Sequence, residues 1–321
     1  MKWNVVRLIV GGMLAVQACS AIGLTPTAQQ TGGETAVASE TPFVAGTVVG
    51  NETPLAEETP FVEGTAAVGP TGEASAAETP AAAAVGEIPV SFENISFVIP
   101  SGLATGAAPE AMPAVGEGGA PWEIAPAHAK ITLTGYPLQG TFFEPHILVI
   151  PAAEYEASTH PSAAQTIERI RVLLSESDVP TNEEVPGVPM FNATKVFGSQ
   201  IARVNMQNGG GVRMVTTYAQ GVNPISNYDL MYQFQGLTSD GSYYVIANLP
   251  INASFLAAQQ DPGAPLPEGG IPFPDLSTAN ADQINAYVQA VADRLNGADP
   301  ESFQPQLSQL DALIQSIQVS P

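Results

Sequence analysis

Hydrophobic and polar positions fall into regular periods only from Ile88 onward. "ISFVIP" (95–100) sets Ile95, Phe97 and Ile99 on one face and stops at Pro100, as a half-buried strand does. "KITLTGY" (130–136) alternates Ile131 and Leu133 with Thr132 and Thr134. "HILVIPA" (146–152) is apolar on both faces, the mark of a central strand covered on both sides. "PSAAQTIERIRVLLSE" (161–176) predicts a helix whose buried stripe is Ile167, Ile170 and Leu174. Pro161 suits its first turn, and Ser162 with Gln165 has capping-box spacing.

Four strands are then expected in series, near 200–207, 212–219, 229–236 and 242–249. "NGGG" (208–211) and "TSDG" (238–241) are expected to close two of the hairpins, and "QGVNPISN" is a longer turn. On the last strand Tyr243 and Tyr244 point to opposite faces, so at least one belongs to the core. "ADQINAYVQAVADRLNG" predicts a helix burying Ile284, Val288, Val291 and Leu295, with Gly297 as its C-cap. "FQPQLSQLDALIQSI" puts Phe303, Leu307, Leu310, Ile314 and Ile317 on one face of a closing helix. An antiparallel meander with helices before and after it is an α+β fold, with one globular domain over 88–321.

Before Ile88 the periodicity is lost. "ETPFVAGT" at 40–47 returns as "ETPFVEGT" at 58–65, within a segment dominated by Ala, Gly, Thr, Pro and Glu. Pro removes backbone donors, Gly maximises chain entropy, and the Glu residues repel one another, so no packed core is expected. Residues 19–87 are therefore expected to be a disordered, low-complexity linker.

Residues 1–18 have the make-up of a secretory signal: Lys2 and Arg7, then the apolar run "LIVGGMLAV" (8–16), then small Ala18. "VQAC" (16–19) resembles the lipobox of bacterial lipoproteins, in which the cysteine becomes the lipidated first residue of the mature chain. Val16, Ala18 and Cys19 fit that pattern, and Gln17 stands where a small residue is usual. Ordinary signal-peptidase cleavage after Ala18 is the alternative, and an uncleaved anchor helix the third. The resemblance implies membrane attachment through acyl groups on Cys19, which is the chain's single cysteine. That count also leaves no disulfide within the chain and no cysteine-based zinc cluster.

Charge narrows the partners. Nine Lys and Arg against thirty-one Asp and Glu give −22, a field that repels phosphate backbones, so no nucleic-acid partner is expected. A search for catalytic chemistry returns little. His146 and Glu144 lie two apart, but Pro145 separates them and no HExxH accompanies them, so a hydrogen-bonded or exposed pair is favoured over a metal site. His160 suits a capping or loop role, and His128 carries no motif. No GxSxG elbow, P-loop or calcium loop occurs. No catalytic residue, cofactor or metal is assigned. Trp122, Tyr136, Phe142 and Phe143 cluster near a long loop, either as a plug at the end of the sheet or as a recognition patch.

The opening "ISFVIPSGLA" (95–104), the hairpin "MYQFQGLTSDGSYYVIANLPI" (231–251) and the closing "LDALIQSIQV" (310–319) together resemble the layout of PsbP-like domains. That resemblance implies an extracytoplasmic α/β/α sandwich acting as an accessory or assembly factor of a membrane complex. The long loops at 101–129 and 252–280 depart from the layout. The expectation is an exported, lipid-anchored envelope protein whose domain binds another envelope protein or a small ligand. The alternatives are a secreted hydrolase with active residues on those two loops, and a surface spacer or coat component.

Overall fold

The computed structural model describes residues 86–321. The signal segment, Cys19 and the repeat-bearing linker lie outside the described residues.

The described residues form an α+β fold around a seven-stranded antiparallel sheet built from two meanders. Strands β1 (Ile88–Phe92) and β2 (Ile95–Ile99) form a separate hairpin first. The first meander is β3 (Gly106–Met112), β4 (His128–Thr134) and β5 (His146–Pro151). Helices α1 (Ala152–Ala157) and α2 (Ala163–Ser175) follow. A short β6 (Thr194–Lys195) precedes the second meander and pairs with β9 (Tyr218–Ala219). That meander consists of β7 (Ser199–Met206), β8 (Gly209–Thr216), β10 (Met231–Thr238) and β11 (Tyr243–Pro250). It runs back until β11 docks on β5, giving the order β3-β4-β5-β11-β10-β8-β7. Helices α3 (Ala281–Asn296) and α4 (Leu307–Gln315) close the chain, and β12 (Gln318–Val319) adds to β2.

The period-2 pattern of β10 explains why the sheet is covered on both faces. Tyr232 and Phe234 enter one core with Val245, Ala247 and Leu249 of β11, Leu295 of α3 and Leu307, Leu310 and Ile314 of α4. Met231 and Leu237 enter the other core with Tyr244 and Ile246 of β11, Tyr155 of α1 and Ile167, Ile170 and Leu173 of α2. "HILVIP" divides likewise, with Ile147 and Val149 to the first core and Leu148 and Ile150 to the second. Tyr244 is fully buried and Tyr243 half-buried, as their opposite faces require. The first core also takes Phe303, Ile317 and, from β2, Ile95, Phe97 and Ile99.

Several local expectations are corrected. The "NGGG" glycines are not the turn. Gln207 and Asn208 make it, and Gly209–Gly211 are the start of β8. The glycines are needed because the Phe234 ring lies over them: a Cβ on Gly211 would sit 2.5 Å from that ring, and one on Gly236 2.6 Å. The stretch 101–129 is not all loop, since it contains edge strand β3 and a bridge between Val115 and Ala125. Pro109 within β3 is tolerated at an edge, where one row of donors is unpaired. Ser162 stands at the N-cap of α2 without a side-chain cap bond, and Leu173 rather than Leu174 is fully buried. In α3, Ile284 and Val288 are half-buried while Tyr287 and Ala292 go inside. Its capping box is formed by Asn280 and Gln283, each side chain accepting from the other's backbone N–H. The closing helix begins at Leu307, so Phe303 reaches the core from the segment ahead of it.

Candidate functional site

Two features of the α1/α2 face depart from a plain apolar core, and they adjoin at Tyr218. The first is a row of polar side chains across the sheet. Register places Gln233 of β10 opposite Asn248 of β11, and Asn248 opposite His146 of β5. The Tyr218 hydroxyl donates to Gln233 Oε1 at 2.8 Å, Gln233 Nε2 donates to Asn248 Oδ1 at 3.0 Å, and Asn248 Nδ2 donates to His146 Nε2 at 3.2 Å. His146 Nδ1 in turn meets the Glu144 backbone carbonyl at 2.7 Å, and the Val188 N–H donates to the Tyr218 oxygen at 2.9 Å. This direction requires a neutral imidazole with its proton on Nδ1. Burial lowers His146 to about 4, consistent with that tautomer, and Lys130 nearby acts in the same direction. A second link runs from the Tyr244 hydroxyl to Gln235, whose amide donates to the Pro186 carbonyl at 2.8 Å.

The second feature is a cleft of about 360 Å³ beside that row. Its wall is a continuous ribbon of rings in the order Tyr228, Phe142, Phe143, Phe191 and Tyr218, with neighbouring centroids 4.6–5.7 Å apart. Most of these pairs are edge-to-face, the packing that the aromatic quadrupole favours. Phe142 is 61% exposed although it is a large apolar side chain. The Phe142 N–H donates to the Tyr228 carbonyl at 2.7 Å and fixes the two segments together. Across the rim, the Gln220 amide donates to the Asn192 carbonyl at 2.7 Å.

Asp229 also lines the cleft and is only 5% exposed. Three neutral groups donate to its carboxylate: the Thr217 hydroxyl, the Ser226 hydroxyl at 3.2 Å and the Gln260 amide at 2.8 Å. Among the described residues no salt bridge reaches it. Burial raises the Asp229 carboxyl above its ordinary range, against the pull of those donors. The loop carrying it is tied down by Asn227. Its amide donates to the Ala253 and Leu256 carbonyls at 3.1 and 3.0 Å, and its oxygen accepts from the Ala253 N–H at 2.9 Å.

The four aromatic residues grouped in the sequence part company here. Phe142 and Phe143 are in the cleft wall. Tyr136 turns into the opposite core, 3% exposed, and its hydroxyl donates to the Pro250 carbonyl at 2.7 Å. Trp122 is half-buried near the Val115–Ala125 bridge and does not line the cleft. The partners that complete the wall, Phe191, Tyr218 and Tyr228, come from segments without apolar period, and β9 is only two residues long. Gln260 shows that the 252–280 loop does reach this site, whereas 101–129 contributes no lining residue.

The other polar groups singled out by sequence have structural partners. Glu144 pairs with Lys130 through its carboxylate at 3.6 Å and gives His146 only its backbone oxygen. His160 Nε2 lies 3.1 Å from the Pro189 carbonyl, and its Nδ1 accepts from the Ser162 N–H at 3.2 Å, the loop role expected of it. His128 Nδ1 lies 2.8 Å from the Pro126 carbonyl. Lys195, lowered to about 8 by burial, donates to the Asn182 and Val185 carbonyls at 2.6 Å each and so staples that loop. Among the described residues, no three His, Cys, Asp or Glu side chains converge as a metal site would require, and no helix is long and apolar enough to cross a membrane. No protein-family profile, curated protein or solved structure matches the chain.

Proposed function

We propose that the protein is exported, held to a membrane through acyl groups on Cys19, and works by binding a small ligand or an envelope partner with its α+β domain. The binding half rests on one observation: an aromatic wall with an exposed Phe142 surrounds a buried carboxylate that has no cationic partner among the described residues. Clefts of this size, apolar with a few placed polar groups, are the usual form of small-molecule sites. The location half rests on "VQAC" and on the basic and apolar segments before it. An antiparallel sheet between helical layers also supports the PsbP-like accessory role, with the 252–280 loop as the part that contributes to the cleft.

Both halves are tested on native protein. Intact mass of the membrane fraction is expected to give a chain beginning at Cys19 with added acyl mass; unmodified protein in the medium contradicts the anchor. A thermal-shift panel of sugars, organic cations and neutral aromatics is expected to contain at least one stabiliser of the wild type that fails on Phe142→Ala. Uniform behaviour of the two proteins across the panel contradicts the binding role.

A further inference from the structure

The chemistry of the cleft goes further than the existence of a ligand. Among its lining residues there is one carboxylate, Asp229, and no Lys, Arg or His. Lys195, on the strand paired with Tyr218, is held by the Asn182 and Val185 carbonyls instead. An anion would enter this space against the carboxylate, with no cation in the lining to receive it. A cation would meet attraction from the carboxylate and could stack on the lining rings, and the net charge of −22 favours its approach from a distance.

The kind of cation follows from hydrogen-bonding capacity. The Asp229 oxygens already accept from Thr217, Ser226 and Gln260. The Tyr218 hydroxyl is taken up between Gln233 and Val188. Phe142, Phe143 and Phe191 offer no acceptor at all. A guanidinium or primary ammonium would find no acceptor on the phenylalanine rings and only the uncharged side-chain oxygens of Asn192, Gln220, Asn223 and Tyr228 for its N–H donors. A quaternary ammonium has no N–H to satisfy and is held by charge and ring faces alone. A sugar, which needs several free donors and acceptors, would find the carboxylate largely occupied.

We propose that the cleft formed by Phe142, Phe143, Phe191, Tyr218, Tyr228 and Asp229 binds a small organic cation with a quaternary ammonium head. This rests on the binding role assigned above and names the ligand class. Choline is the probe, and 3,3-dimethylbutan-1-ol, the same shape without the charge, is its control. Titration calorimetry on the exported domain within the full chain is expected to show choline binding roughly tenfold more tightly than the alcohol. Phe142→Ala, which changes an exposed side chain, is expected to weaken choline several-fold with the melting temperature unchanged. Asp229→Asn, its fold checked by circular dichroism, is expected to abolish the preference for choline over the alcohol. Equal affinities for the two probes, or no saturable choline binding at millimolar concentration, overturn the proposal. If a neutral ligand from the panel then still distinguishes wild type from Phe142→Ala, the binding role stands and only the ligand class fails. If nothing distinguishes them, both fall.

Discussion

The two faces of the central sheet are built from the same strands and have different chemistry. Toward α3 and α4, β10 and β11 present Tyr232, Phe234, Val245, Ala247 and Leu249. The buried Arg213 there lies 3.3 Å from Asp311, and Asp311 also accepts from the Tyr232 hydroxyl at 2.8 Å. Toward α1 and α2, the same two strands present Gln233, Gln235 and Asn248 among Met231, Leu237, Tyr244 and Ile246. The first face gains its stability from apolar burial and tight packing. The second adds to its apolar core a hydrogen-bond row that is neutral throughout and ends at the wall of the cleft. Buried amides cost free energy unless each finds a partner, so they fix a geometry more than they add stability. The difference teaches that the α3/α4 face holds the domain together, while the α1/α2 face holds one edge of a site in position.

The largest expected effect lies on the apolar face. Phe234→Ala removes a fully buried ring that rests on Gly211 and Gly236, and is expected to cost about 3–5 kcal/mol in chemical denaturation. A loss no greater than that of a surface substitution would break the contrast between the faces. Next comes Tyr218→Phe on the polar face. It keeps the ring in the cleft wall but leaves Gln233 Oε1 and the Val188 N–H without their partner, with an expected loss of roughly 1–3 kcal/mol.

The last effect shows only at acid pH and sharpens the contrast. His146 sits at about 4 in the folded chain against 6.5 unfolded, so between those values the unfolded chain binds more protons. Stability is therefore expected to fall as pH drops from about 6.5 toward about 4, because Asn248 Nδ2 would then face a second donor. His146→Gln is expected to flatten that part of the melting-temperature profile. A residual slope remains from His160, which burial also lowers. An unchanged slope in the variant would remove the neutral imidazole from the account.

Much of the sheet is legible in the sequence, because a strand covered on both faces has a distinctive composition. "HILVIP" shows it, and so does the spacing of Ile95, Phe97 and Ile99. The glycine run was harder to place. Glycine marks both tight turns and close packing, and only the position of the Phe234 ring decides between them. The capping box that does form, at Asn280 and Gln283, has the same spacing as Ser162 and Gln165, which form no cap bond, since the Ser162 N–H is engaged by His160 instead. Half of the aromatic group was legible. Phe142 and Phe143 are adjacent and belong to the wall, but closeness in sequence wrongly joined them to Tyr136, which ends up beneath the other face. Phe191, Tyr218, Tyr228 and Asp229 meet only through tertiary folding, and their segments have no period to announce it. The amides of β10 are visible as polar residues in an apolar strand, and their alternation with Tyr232 and Phe234 is the signal that one face differs from the other.

The most direct test of the central claim, that recognition belongs to the aromatic cleft at the edge of the polar face, is two-dimensional NMR of the labelled domain during choline titration. The expected result is saturable shifts grouped at Phe142, Phe143, Phe191–Ala193, Tyr218–Gln220, Tyr228–Asp229 and Gln260, with α3 and α4 unmoved. Shifts grouped on α3 and α4, or none that saturate, would contradict it.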